Sequence, residues 1–267
     1  MKSNWLYDQS ALGIVAVLLV AMLLAFELAY QIARRWHSTT EHAGREVFVA
    51  VKVSLLGMLA LLMAFTFGMA VDRYAERQRL VTDEANMLHG VLLHSTLLPE
   101  APRTRFRELF GQFVDARLAF FDSHRNLVAV EQAMDLTEEL HRQMWELVKV
   151  ETMRDPPMKG AEGMMRALNY EWSIHRQRVH AFENRVPDAV VLLLFGGVII
   201  AMAALGFAAG IANHRGTTGK FLLAALLAGT ILVVLDLDRP RRGIFPISQE
   251  PMSHLKQLFE RETEANK

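Results

Sequence analysis

Cysteine is absent from the 267 residues, which removes disulfides, thiolate metal sites and cysteine nucleophiles and leaves the redox compartment open. Net charge is absent as well, because 29 basic and 29 acidic side chains cancel. A chain that grips phosphate backbones carries a basic excess or a basic face. Here the two signs interleave, so nucleic acid is not an expected partner. No P-loop, nucleophile elbow, zinc-binding helix or kinase signature occurs, and the glycine-rich pieces lie inside apolar runs or their connecting turn. With no nucleophile, base and electrophile to assemble, neither an enzyme nor a cofactor is expected. Hydrophobic residues, by contrast, make up 52% of the chain, and they come in long runs.

Ala11 to Ala29 is broken only by Glu27 and matches the ~20 apolar residues that cross a hydrocarbon core. Lys2 is the only basic residue before it, and Arg34-Arg35 follow instead of a small-residue cleavage pattern, so it reads as a retained first span and not a cleaved signal. Val47 to Val71, interrupted only by Lys52, is the second span. Ala189 to Ala212 is a charge-free third, and Phe221 to Leu235 a short fourth that recruits its flanks, with Lys220 snorkelling at one end. In the third span Gly206 and Gly210 have the small-xxx-small spacing that lets helices approach closely, read here as a packing surface inside one subunit.

Between the second and third spans no run is long enough to cross, yet apolar residues recur at helical spacing. The second span continues outward as a helix, with Val81, Ala85, Leu88 and Leu92 on one face, until Pro99 and Pro102 break it. Further helices carry Phe106, Leu109, Phe110 and Phe113, then Ala133, Leu136, Leu140, Met144 and Leu147. A last one carries Met165, Leu168, Trp172, His175, Val179, Phe182 and Val186 as a heptad seam. The expected fold is an all-α integral membrane protein with four transmembrane helices in two pairs flanking a soluble helical bundle. Its segments are a tail at 1–10, a pair within 11–71 (11–32 and 47–71), the soluble domain at 72–187, a pair within 188–237 (188–212 and 219–237), and a C-terminal tail at 238–267.

Four crossings put both termini and the helical domain on one side. Basic residues near span ends number ten on that side (Lys2, Arg73, Arg77, Arg79, Arg176, Arg178, Arg185, Arg239, Arg241, Arg242) against five in the short loops (Arg34, Arg35, Arg45, Arg215, Lys220). Tails and short loops alone give four against five. The fuller count predicts a cytoplasmic domain and termini in a plasma (inner) membrane.

Three constellations stand out. Asp236-Leu-Asp-Arg-Pro-Arg-Arg242 ends the last span in a knot of charge that crossing-counting sets beside Asp72, Arg73 and Arg185. Carboxylates at a helix C-terminus oppose the macrodipole, so Asp236 and Asp238 need partners, with Arg239, Arg241, Arg242 and Arg73 nearest. The cluster reads as an anchor for the tail, or alternatively as an ion-attracting vestibule. Glu27 and Lys52 lie at equal depth in an antiparallel hairpin and are expected to pair within the membrane. Phe65 and Phe67, near the inner end of the second span, are candidates for narrowing a pore. His89 and His94 stand five apart, a spacing that does not suit a metal, so no metal site is expected; His175 reads as a packed core histidine.

The pieces Phe67-Gly-Met-Ala-Val-Asp-Arg-Tyr74, Val81-Thr-Asp-Glu-Ala-Asn86, Phe113-Val-Asp-Ala-Arg-Leu118 and, above all, Leu235-Asp-Leu-Asp-Arg-Pro-Arg-Arg-Gly243 running on to Ser248-Gln-Glu-Pro251 resemble the bacterial membrane-protein family with a bestrophin-like domain. That resemblance implies two pairs of membrane helices around a helical domain. Through distant kinship with bestrophins, which are oligomeric anion channels whose second helices line a hydrophobic neck, it also implies a homo-oligomer in a lipid membrane that passes small inorganic ions. The alternative is a membrane-anchored helical sensor or scaffold without transport.

Overall fold

The computed structural model describes residues 10–36, 42–122, 127–154, 160–213, 217–239 and 243–265. All regular structure among them is helical: α1 Ala11–Trp36, α2 His42–Ser95, α3 Glu100–Asp122, α4 Leu127–Thr152, α5 Ala161–Glu183, α6 Asp188–Ile211, α7 Thr217–Leu237 and α8 Glu250–Ala265. Four of these (α1, the first part of α2, α6 and α7) are long and apolar enough to cross a membrane. The α2 helix runs 54 residues without a break because no proline interrupts it. It stops where Leu98 precedes Pro99, a position that disfavours helical backbone, and tightened turns such as Leu98 N–H to the Ser95 carbonyl close its end.

The chain divides into two compact units. The first comprises residues up to Tyr74 with Arg185–Arg239 and Gly243–Phe245; the second comprises Ala75–Asn184 with Pro246 onward.

In the first unit, Val15, Leu18, Met22, Phe26 and Tyr30 form one stripe of α1 and meet Val191, Leu194, Val198 and Met202 of α6 and Ala224, Ala228 and Ile231 of α7. The closest approach is at Gly206 and Gly210. A methyl group added at Gly206 would collide with the Phe26 backbone, its Cα only 2.8 Å away, and one at Gly210 would lie 2.7 Å from Ala33 Cβ. In a bilayer, where apolar burial does not itself drive helices together, such contact through small residues is the main source of packing.

This arrangement departs from the expected pairing of neighbours in sequence. The first span packs chiefly on α6 and then α7, not on the second. The pairing of Glu27 with Lys52 goes with it: Lys220 Nζ of α7 lies 3.4 Å from Glu27 Oε2 and over the Phe26 ring. The glycine pair lets α6 approach the α1 backbone closely.

In the second unit, the stripes on α2 and α3 fall where periodicity puts them, with Val81, Leu88, Leu92, Phe106, Leu109, Phe110 and Phe113 buried. The next two helices are rotated from expectation. On α4, Val130, Ala133, Thr137, Leu140, Met144 and Val148 are buried while Leu136 is exposed; on α5 the buried line is Met164, Leu168, Glu171, His175 and Arg178. On α5 charged residues occupy core positions, which pulls its seam one step away from an all-apolar choice. The stretch after 238, expected as a tail, contains α8, whose Phe259 packs on Phe110 and whose Lys256 pairs with Asp115 of α3.

Gly206→Leu is expected to cost ~1–3 kcal/mol through overpacking and to lower the thermal midpoint of the purified protein, whereas Gly229→Ala, with open space around the added methyl, leaves it no lower. Equal midpoints for the two variants would contradict the α1–α6 contact.

Candidate functional site

The second span differs from its neighbours in cover. Only 6% of its most apolar stretch is buried, against 33% for α6 and for α7. One face of it, with Leu55, Leu59, Leu62 and Met69, packs on the core of this unit, Leu59 against Gly197 and Phe48 against Phe207. The opposite face carries Ala50, Ser54, Gly57, Leu61, Ala64 and Gly68 at alternating steps of four and three, and added methyl groups at Gly57 and Gly68 would meet nothing within 4 Å. Phe65 belongs to this uncovered side and is 65% exposed. Phe67, two residues on, is turned about 200° around the helix and is 39% exposed. The two phenylalanines thus lie on different faces of the helix, while Leu61 and Phe65, one turn apart, share one.

Two aspartates of the charge knot at the end of α7 are buried. Asp236 is buried and accepts the backbone N–H groups of Ile244 (2.7 Å) and Phe245 (2.9 Å), folding the chain back on the helix end. Gly243 is required there, since a methyl group would lie 2.7 Å from Asp236 Oδ2. Asp238, also buried, accepts the Val186 N–H through both oxygens and lies 4.0 Å from Arg73 Nη1. Arg239 is buried, Arg185 half-buried and Asp72 exposed. Arg241 and Arg242 lie outside the described residues. Backbone N–H groups thus meet both carboxylates.

The residues that periodicity missed lie in the helical domain. Glu84 of α2, fully buried, takes two bonds from Arg117 of α3 (Nε at 2.7 Å, Nη2 at 3.1 Å) and an ion pair from Arg178 of α5. The guanidinium of Arg178 stacks over Phe121. Arg77 donates to the Ala181 and Asn184 carbonyls and so caps the C-terminus of α5. Near this clamp sits Glu171, buried, with His141 Nε2 at 3.9 Å; the rings of His141, Trp172 and His175 stack in series at 4.2 and 4.6 Å. Desolvation raises the Glu171 carboxyl to about 8 against an opposing pull from Arg117, and desolvation with nearby positive charge lowers His175 to about 2. Burial likewise lowers Arg117 to about 10 and Arg178 to about 9. Among the described residues no cluster of carboxylates and imidazoles has the geometry of a metal site.

A helical fold with four apolar helices of membrane length has known counterparts. Over residues 11–252 the sequence matches the bestrophin-like domain, and the chain belongs to that family. Its fold is similar to a crystal structure of a bacterial bestrophin homolog from Klebsiella pneumoniae carrying a tryptophan-to-alanine mutation (TM-score 0.70, 14% identity, 95% of this chain and 96% of that one). It is also similar to the same homolog solved by zinc phasing (0.61, 13%, 94% and 96%) and to a leucine-to-alanine variant of a membrane protein (0.68, 13%, 94% and 96%). No curated protein matches the sequence.

The buried groups fix a pH profile for stability. Folded Glu171 keeps its proton up to about 8 while an unfolded glutamate loses it near 4.5, so the folded form holds more protons between these values. That contribution is fully present below about 4.5 and disappears as pH rises to about 8. His175 acts oppositely: below 6.5 the unfolded chain takes up a proton that the folded one refuses, so stability falls on acidification. Thermal midpoints across pH should therefore decline on both sides, and Glu171→Gln should remove the alkaline decline; an unchanged alkaline limb would contradict the assignment. Glu84→Ala, which leaves two buried guanidiniums without their carboxylate, should cost on the order of 3–5 kcal/mol, visible as a loss of folded protein at a temperature the wild type tolerates.

Proposed function

We propose that the protein is the subunit of a homo-oligomeric ion channel of the bestrophin type in the bacterial inner membrane, conducting small inorganic anions, with the uncovered face of α2 forming the pore wall. The observation that carries this reading is the contrast in cover between α2 and the other spans, in a chain that belongs to the bestrophin-like family. One subunit of four spans has no room for a conduit, whereas several copies of a helix with small residues at heptad-like steps pack closely around an axis. Leu61 and Phe65 would then form an apolar constriction, which gates by dewetting. The excess of basic residues near span ends on the side of the helical domain supports a cytoplasmic domain and termini, with the helix pairs on either side of that domain in sequence.

The absence of cysteine makes a clean test available. In this reading Leu61→Cys in proteoliposomes forms a subunit-to-subunit disulfide on mild oxidation, while Leu193→Cys on the exposed side of α6 does not. Anion flux through the wild type should rise several-fold in Phe65→Ala and change little in Phe67→Ala. A bilayer that stays tight under all anion gradients would sink the channel reading and leave the membrane-anchored scaffold in its place.

A further inference from the structure

Glu171 is fully buried, and neither of its carboxylate oxygens has a hydrogen-bond partner. A buried carboxyl left so is unusual, since desolvation penalises its charged form and nothing donates to it. The groups facing it come from each helix packed around it. Arg117 of α3 attracts its charge and has an Nη1 with no hydrogen-bond partner; His141 of α4 presents Nε2 at 3.9 Å; His175, one turn along α5, has an unpartnered Nδ1. Glu84 of α2 is engaged by both Arg117 and Arg178, so it neutralises one guanidinium's worth of charge and leaves the other to Glu171. The cluster of Glu84, Glu171, Arg117 and Arg178 is balanced when Glu171 is ionised and holds one positive charge when Glu171 is protonated.

His141 connects this carboxyl to the outside. It lines a groove of about 550 Å³ between α4 and α5 whose other walls include Asp135, Glu138, Trp145 and Trp172. Its Nε2 also lies 3.4 Å from the Leu168 carbonyl. Burial lowers its basicity, so the ring is neutral and one nitrogen is free to accept a proton.

We propose that Glu171 is a proton-binding site of the helical domain and that the His141 ring carries its proton to and from the α4–α5 groove. In the outward direction the Glu171 O–H bond breaks and the proton joins the Nε2 lone pair. The imidazolium then gives its Nδ1 proton to water in the groove, leaving a neutral ring whose Nε2–H rests against the Leu168 carbonyl. The ionised carboxyl becomes the counter-ion of Arg117, which draws α5 toward α3; proton return relaxes that attraction. The packing of the domain thereby follows the pH on its side of the membrane.

The test reads the carboxyl directly, by infrared spectroscopy of the purified full-length protein, and is independent of whether the protein conducts ions. The wild type should have a protonated-carboxyl C=O band that vanishes with a midpoint near the about 8 of Glu171, and Glu171→Gln should lack it. His141→Phe keeps the stack on Trp172 but has no ring nitrogen, so the band should persist while its deuterium shift on transfer to D2O slows at least about tenfold. No titrating band in the wild type, or its survival in Glu171→Gln, overturns the proton site. An unchanged deuteration rate in His141→Phe overturns the route.

Discussion

One carboxylate holds the helical domain together. Glu84 is the only acid in contact with both Arg117 and Arg178 among the described residues, and through them it fixes α2, α3 and α5 at one point. A buried charge pair is seldom a net gain against an apolar core, but losing one member of it is severe, so the value of Glu84 lies in specificity of arrangement more than in strength. Arg77 extends the same logic to the end of α5, where it meets carbonyls that have no partner within the helix. The stacked rings and Glu171 sit against this frame, and their unusual proton affinities follow from being enclosed by it.

The membrane unit is governed by shape instead of charge. Gly206 and Gly210 bring α6 to the backbone of α1, and that contact decides which helices are neighbours. Once α1 has both α6 and α7 on its stripe, its Glu27 meets Lys220, and α2 is left with a single line of contact. At the end of α7 the two aspartates accept backbone N–H groups, so this charge fastens one stretch of the chain to another.

The spans were legible in the sequence because each is an apolar run of membrane length, and the continuity of α2 was legible because no proline occurs between His42 and Leu98. The aromatic stripe of α3 followed directly from helical spacing. The partner of α1 was not legible: small residues announce a close approach without naming who approaches. Nor was the ionic centre, because Glu84, Arg117, Glu171 and Arg178 are residue types that ordinarily face water. One signal was available. Glu84 stands in register with Val81 and Leu88, and Glu171 with Leu168 and His175, so charged residues were lying on apolar lines; the two stripes that were misjudged, on α4 and α5, are the ones that border this centre. The helix at 250–265 was missed in the same way, although Met252, Leu255 and Phe259 keep helical steps.

The thin cover of α2 has a consequence for how the protein behaves in lipid. Acyl chains are as apolar as leucine, so an exposed membrane helix gains little by merely leaving them; what it gains comes from packing against another surface. In the proposed oligomer the environment of this one span is set by mass action, by how many copies share a given area of bilayer, while α1, α6 and α7 already have neighbours within the chain. Protein-to-lipid ratio should act on this molecule as a variable in its own right, as ligand concentration does on a receptor.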